Sequence, residues 1–350
     1  MIWEMGSEFH LIRPWKHESL HGDAFQGELF VNGRAALHGI LDRVQLGANG
    51  RIWIPSYVCR EVHVEISSHG TISTYGDYPD EHSPRFDTLQ ATRGDVILIQ
   101  DTFGLGDVGQ WHDWLSNHEG LITIEDISHS SMQERFLQSP ADHVFSSLRK
   151  SQPTADGGIV FSRESGLVQS QQTTNPGSRQ KLEAMILKEL YLQGYPIEKR
   201  AFRELQIAGE RELNKVNAGG SLPHTQAMLQ LIPFGELRDQ WRRNTMRLRC
   251  HLSDAVFSGM VVPLQSRGGE GLFHLVVKFE SMDLRDRIRD HLVDNRVYPA
   301  IHWLQDHNLS DAKAINLSQK VLTLPTDYRY ADCDIDRLAS IIREGLRGTS

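Results

Sequence analysis

The stretch Phe145-Ser-Ser-Leu-Arg-Lys-Ser-Gln-Pro-Thr-Ala-Asp-Gly-Gly158 sets one lysine, Lys150, on a loop between two apolar runs, with two glycines behind it. The chain has nine lysines against 28 arginines, so a lysine in such a place stands out. An unprotonated amine there can form an imine with a carbonyl compound. Upstream, Leu121-Ile-Thr-Ile-Glu125-Asp126 reads as an apolar strand ending in two carboxylates. A carboxylate at a strand end, here Asp126, can keep a pyridine nitrogen protonated, and His129 can hydrogen-bond a phenolic oxygen. Amine and carboxylate together suggest pyridoxal phosphate chemistry.

That cofactor also needs a phosphate cradle and a clamp on its ring. Asn32-Gly33-Arg34-Ala35 opens a helix whose free N–H groups favour an anion, and Gly33 lets the backbone come close. Ser146 and Ser147 can add hydroxyl donors, and Tyr57 in Ile54-Pro-Ser-Tyr-Val-Cys59 can stack on the ring. Each of these residues also has a plain structural reading. Lys150 could be a solvated loop lysine, Glu125 and Asp126 caps of the next helix, the serines strand-end hydroxyls, and Tyr57 packing.

The elements that must position these groups alternate from Asn32 to about Phe161. Short apolar runs at Arg51–Ile54, Val62–Ile66, Asp95–Gln100, Leu121–Ile124, His143–Phe145 and Gly158–Phe161 alternate with helical patterns, which reads as an α/β fold with a mostly parallel sheet sandwiched by helices. Leu37, Ile40, Leu41 and Val44 follow a helical period behind Asn32, so a helix should start at Gly33 or Arg34. From about Ser178 to Leu252 the pattern is helical, with a second long segment around Met228–Arg249 after Gly219-Gly220. Beyond Ala255, a strand at Leu272–Phe279, a helix at Met282–Asp294, a strand at Val321–Leu324 and a helix at Ile335–Leu346 predict a smaller C-terminal α+β domain. The expected division is a segment 1–31, a large domain 32–252 and a small domain 253–350.

Composition narrows the function classes. A net charge of −8 and the lack of a basic tract argue against a nucleic-acid binder. The uncharged stretch Ala255–Ser266 is too short and polar to cross a bilayer, and the first twenty residues have no apolar signal run. Cys59, Cys250 and Cys333, odd in number and far apart, predict reduced thiols and a cytoplasmic location. Two motifs fit other chemistries less well. His17-Glu-Ser-Leu-His21 matches a zinc pattern, but Pro14 and Gly22 leave it barely two helical turns, so no metal is expected. Gly104-Leu-Gly106-Asp-Val-Gly109 outlines a dinucleotide turn, yet Asp107 puts an anion where pyrophosphate would sit.

Taken in order, the residues resemble the DegT/DnrJ/EryC1/StrS aminotransferases, which have the aspartate-aminotransferase-like fold type I. Asn32-Gly-Arg-Ala-Ala-Leu37, Ile54-Pro-Ser-Tyr57, Asp101-Thr-Phe-Gly104, Glu125-Asp-Ile-Ser-His129, Ser147-Leu-Arg-Lys150 with Gly157-Gly158, and Leu322-Thr-Leu-Pro325 carry the likeness. The resemblance implies a homodimer, Lys150 as the imine lysine, Asp126 on the pyridine nitrogen and His129 near the ring oxygen. It implies transfer of an amino group from an amino acid such as glutamate or glutamine to a keto sugar, nucleotide-linked in much of the family, or a related polar metabolite. A PLP-dependent lyase, epimerase or substitution enzyme, and a binding protein of the same fold without turnover, are the other readings. The family usually has serine five residues before the lysine, where this chain has Phe145, so phosphate contacts should be rearranged. His302 and Trp303 in Tyr298-Pro-Ala-Ile-His-Trp303 and Arg329 are the expected substrate contacts, the arginine for a carboxylate or phosphate.

Overall fold

Asn32 caps the first helix, α1 (Gly33–Leu41): its side-chain oxygen accepts from the Ala35 N–H at 2.8 Å, and Leu37, Ile40 and Leu41 behind it are buried. The structure is a computed structural model that describes residues 2–12, 27–46, 50–130, 133–162, 175–215, 219–253, 259–268 and 273–348. His17 and His21 lie outside the described residues.

Helix α1 packs on a seven-stranded sheet. In chain order the strands of the protein are β1 (Met5–Gly6), β2 (Glu28–Phe30), β3 (Arg51–Pro55), β4 (Thr71–Tyr75), β5 (Val96–Gln100), β6 (Ile122–Asp126), β7 (His143–Ser147), β8 (Gly158–Ser162), β9 (Val261–Pro263), β10 (Leu275–Phe279), β11 (Val297–Tyr298) and β12 (Val321–Leu324). The large sheet has the order β2-β8-β7-β6-β5-β3-β4. Strands β4, β3, β5, β6 and β7 run parallel, while β8 is antiparallel to β7 and β2 to β8. The parallel strands are mainly apolar because helices cover both faces of such a sheet, and β5 is buried along its whole length. Their carboxyl ends therefore share one edge of the sheet. Asp126 stands there, paired in register with Gln100 on one side and Phe145 on the other.

One expected strand is a helix. Val62–Ile66 lies within α2 (Arg60–Ser67), and the strand of that region is β4. Val-His-Val-Glu-Ile satisfies both a two-residue and a four-residue period, and the second prevails because Val62 and Ile66 pack on the core behind α1. The long segment Met228–Arg249 is likewise split into helices Pro223–Leu231 and Phe234–His251 by Pro233, which cannot donate inside a helix.

The C-terminal third forms the three-stranded antiparallel sheet β12-β10-β9. Helices Met282–Asp294 and Asp332–Arg347 supply Leu284, Ile288, Leu292, Ile335, Leu338 and Ile342 to its core. Two outlying segments join that core: Leu248 and Leu252 at the end of the long helix, and Met5 of β1. Strand β1 pairs in parallel with β11, so residues 5–6 are tied to residues 297–298. No helix among the described residues is long and apolar enough to cross a membrane.

Candidate active site

Lys150 ends a single 3₁₀ turn, Leu148–Lys150, directly after β7. The Leu148 N–H donates to the Gly157 carbonyl at 3.0 Å, and Gly157, at φ +123°, turns the chain back into β8. The lysine is thus held on a loop closed at its base by the two antiparallel strands. Its Nζ lies 3.5 Å from His129 Nε2 and 5.3 Å from the centre of the Trp303 ring. Among the described residues no carboxylate comes within ion-pairing distance of it.

Asp126 and His129 sit on the next strand end and the turn after it, both 3% exposed. One Asp126 oxygen accepts from the Ser128 N–H at 2.9 Å. His129 Nδ1 accepts from the Phe103 N–H at 3.0 Å, so the neutral ring carries its hydrogen on Nε2, the atom nearest Lys150. Phe103 takes φ 63° to present that amide and stacks on the imidazole, with Phe273 and Trp303 stacked close by at 4.2 and 5.3 Å. Burial first, then the Lys150 charge, hold His129 well below the ordinary histidine range. It is a neutral donor.

The start of α1 is pressed against the end of β7. A Cβ at Gly33 would meet the Ser147 side chain at 2.8 Å, and one at Gly158 would meet the Asn32 carbonyl oxygen at 2.1 Å. Two glycines therefore bring a helix N-terminus, with its unpaired N–H groups, beside the lysine turn. Ser146 is buried, and the Ser147 N–H donates to Ser128 Oγ at 2.8 Å. Not every expected contact in this cradle is free. The Ala35 amide is already used by Asn32, and the Arg34 guanidinium turns to Asn214 Oδ1, 2.5 Å away. Tyr57 is fully buried, its OH donating to the His302 carbonyl at 2.5 Å and its ring set among Phe103 and Trp303.

A cavity of about 490 Å³ opens in front of Lys150. His302 lines it with His274 and Phe273, while Gly6–Phe9 and Tyr298–Ala300 form another wall. Arg329 lines it too, but its guanidinium is bidentate on Asp327, with Nε–Oδ1 2.7 Å and Nη2–Oδ2 2.9 Å. Asp327, two residues earlier, is thus the arginine's first partner. The sequence reading did not single out Phe273, His274, Phe103 or Arg203. Phe273 and His274 come from the strand approaching β10, far from Lys150 in the chain, and no motif marks them.

Burial pushes His274 down to about 4 and His302 to about 3, and the Lys150 charge adds to the shift of His302 and His129. Unfolded histidines take up protons below about pH 6.5, whereas these folded rings do not. The rings therefore contribute stability above that pH that is lost as pH falls toward 4 and 3, each at most about 1.4 kcal/mol per pH unit. Thermal melts should show Tm dropping across pH 6.5–4. The drop should be shallower in Lys150→Ala, since removing the cation lets His129 and His302 protonate at higher pH. Parallel profiles for the two proteins would contradict this account.

Gly104–Gly109 is the turn between β5 and the helix α3 (Val108–Leu115), whose N-terminus is capped by Asp107 accepting from the Gly109 N–H at 2.8 Å. The carboxylate occupies the place a pyrophosphate would need. No protein-family model matches the chain, and no curated protein matches it in sequence. Solved structures resemble it in fold. Spr1654 of Streptococcus pneumoniae, in its PMP form, superposes with a TM-score of 0.63 at 15% identity, over 95% of this chain and 90% of its own. The chain has the fold type I aminotransferase fold. A DegT DnrJ EryC1 StrS aminotransferase from Brucella abortus gives 0.59 at 16% identity, over 91% and 85% of the two chains. DesI, solved in the presence of its TDP-sugar product, gives 0.62 at 18% identity, over 92% and 81%. In this fold the antiparallel β8 and the edge strand β2 flank the parallel strands whose ends carry Asp126 and the Lys150 turn.

Proposed function

We propose that the protein is a pyridoxal-phosphate-dependent aminotransferase that moves an amino group from an amino acid to a keto sugar or a related polar metabolite. The observation that carries the reading is Lys150: an amine with no carboxylate partner among the described residues, 3.5 Å from a neutral buried histidine, on the edge of the sheet that holds Asp126. The surrounding residues fit the cofactor. Gly33 brings the α1 N-terminus against Ser147 as an anion site, and the buried Asp126 is the carboxylate for a ring nitrogen. His129 Nε2–H is a donor for a ring oxygen. The occupied Ala35 amide and the outward Arg34 side chain leave the Gly33 and Arg34 amides and the serines as the phosphate contacts.

Bound pyridoxal phosphate would supply a ring able to take up negative charge from the donor's α-carbon. Lys150 Nζ takes the proton from that carbon, and Asp126 keeps a positive charge on the ring nitrogen favourable. His129, Phe103, Phe273 and Trp303 exclude water on one side. For the substrates, Arg149, Lys199, Arg203 and Arg329 line the cavity; Glu210, Glu4 and Asp327 pair Arg149, Lys199 and Arg329, while Arg203, bonded to Gln206 Oε1, has no carboxylate partner among the described residues. Arg203 is therefore the cation open to a carboxylate on the donor or to a phosphate or other anion on the acceptor. DesI, of the same fold, has a TDP-sugar product, which supports a sugar acceptor. Two such sites in a homodimer are part of the proposal.

Purified protein supplied with the cofactor should show a visible band, and borohydride should fix one cofactor per chain on Lys150. Glutamate or glutamine alone should then convert the untreated band stoichiometrically to the amine form. A colourless protein with no lysine adduct would remove the cofactor; a stable band unmoved by any amino donor would remove the transfer.

A further inference from the structure

A second site lies on the helical layer, at the end of α1 away from the Lys150 turn. His38 in the last turn of α1, Glu65 in α2 and His69 just after α2 point three ligand atoms at one place. His38 Nδ1 is 2.7 Å from Glu65 Oε1 and 3.1 Å from His69 Nε2, and His69 Nε2 is 3.3 Å from Glu65 Oε1. The three side chains are only 18%, 8% and 12% exposed. Donors around a tetrahedral ion with bonds of 2.0–2.1 Å lie about 3.3 Å apart, close to these separations.

Asp42 stands behind the cluster. Its oxygens face the outer nitrogens of both rings, His38 Nε2 at 3.2 Å and His69 Nδ1 at 3.8 Å. With the ring hydrogens on those outer atoms, toward the Asp42 charge, His38 Nδ1 and His69 Nε2 would present lone pairs beside the Glu65 carboxylate oxygen. Three acceptors facing one another at such distances repel unless a cation lies between them. A carboxylate behind a ligating histidine is also the usual outer support of a metal site. We infer that His38, Glu65 and His69 bind one divalent first-row metal ion, Zn²⁺ by preference for this nitrogen and oxygen set, with Asp42 orienting both imidazoles. The ion would pin the end of α1 to α2, independently of any chemistry at Lys150.

The test uses tag-free full-length protein carrying its cofactor, freed of metal by chelator. Calorimetric titration with Zn²⁺ should give one saturable site per chain and a rise in Tm of a few degrees. His38→Ala and His69→Gln should each weaken binding at least about 100-fold, and Asp42→Asn about 10- to 100-fold. Lys150→Ala should leave binding unchanged. The wild-type Co²⁺ spectrum needs no variant and should show nitrogen and oxygen ligation without thiolate charge transfer. Absence of saturable uptake, a thiolate signature, or uptake unchanged in both histidine variants would overturn the inference and leave the cluster as a hydrogen-bonded contact between α1 and α2.

Discussion

Lys150→Ala should fold, hold pyridoxal phosphate without a covalent bond, and turn over at least about 10²–10⁴-fold more slowly, the span associated with losing one positioned proton-transfer group. The fold should survive because the side chain's polar and ring contacts are few, His129 Nε2 at 3.5 Å and the Trp303 ring, and it forms no ion pair among the described residues. The loss should fall on kcat rather than on donor affinity. Proton removal from the donor would be felt in the transition state, whereas the rest of the cavity lining remains in place. Added methylamine, a free amine small enough for the space left by the side chain, should restore part of the rate. Steady-state kinetics with the amine titrated in would check this. A variant with near wild-type kcat would show that Lys150 is an ordinary loop lysine.

Gly158→Ala should fail in a different way, by loss of the folded state. The added carbon would stand 2.1 Å from the Asn32 carbonyl oxygen, 2.4 Å from its carbon and 2.8 Å from the Gly33 nitrogen, all backbone atoms. Backbone cannot rotate aside as a side chain can, so β8 must part from the chain entering α1. Overpacking of flexible cores costs about 1–3 kcal/mol, and a rigid clash of this depth should exceed that. With a few degrees of Tm per kcal/mol, a fall of roughly 6 °C or more is expected, or no soluble protein. Residual folded protein should also bind the cofactor weakly, since Asn32 and Gly33 would be pushed off Ser147. Melting curves and cofactor titration report the two effects separately. Wild-type stability would mean that the packing of α1 on β8 is looser than these contacts require.

The inner strands of the large sheet were legible because they are mostly buried and so appear as short continuous apolar runs, each with a definite end, whereas the partly exposed edge strands β2 and β4 show no such run and were not read. Asp126, His129 and Lys150 could be picked out for the same reason: each is a chemically active side chain just past such a run. What could not be read was whatever depends on a distant partner. Val62–Ile66 alternates like a strand, and its helix is decided by the apolar core it shares with α1. The aromatic wall on His129 draws Phe103, Phe273 and Trp303 from three separate parts of the chain. Arg329 was a reasonable anion contact by type, yet Asp327 grips both ends of its guanidinium. In the His38, Glu65 and His69 cluster only Glu65 and His69 share a helical spacing; His38 comes from α1, 27 residues earlier, and nothing local links it to them.

Strand β1 gives the site a peculiar order of assembly. Met5 and Gly6 are synthesised long before Val297 and Tyr298, their partners, and Gly6, at φ +78°, has its α-carbon pressed so near the Tyr298 carbonyl that a methyl group there would lie 2.1 Å from its oxygen. Every unfinished chain short of those residues must carry Ser7, Glu8 and Phe9 without the surface they rest on. A contact of such sequence separation is slow to close and exposes its apolar members until it does. The wall of the cavity formed by residues 6–9 therefore has to wait for residues 297–300, made much later, and a chain cut short of them lacks both walls' mutual support.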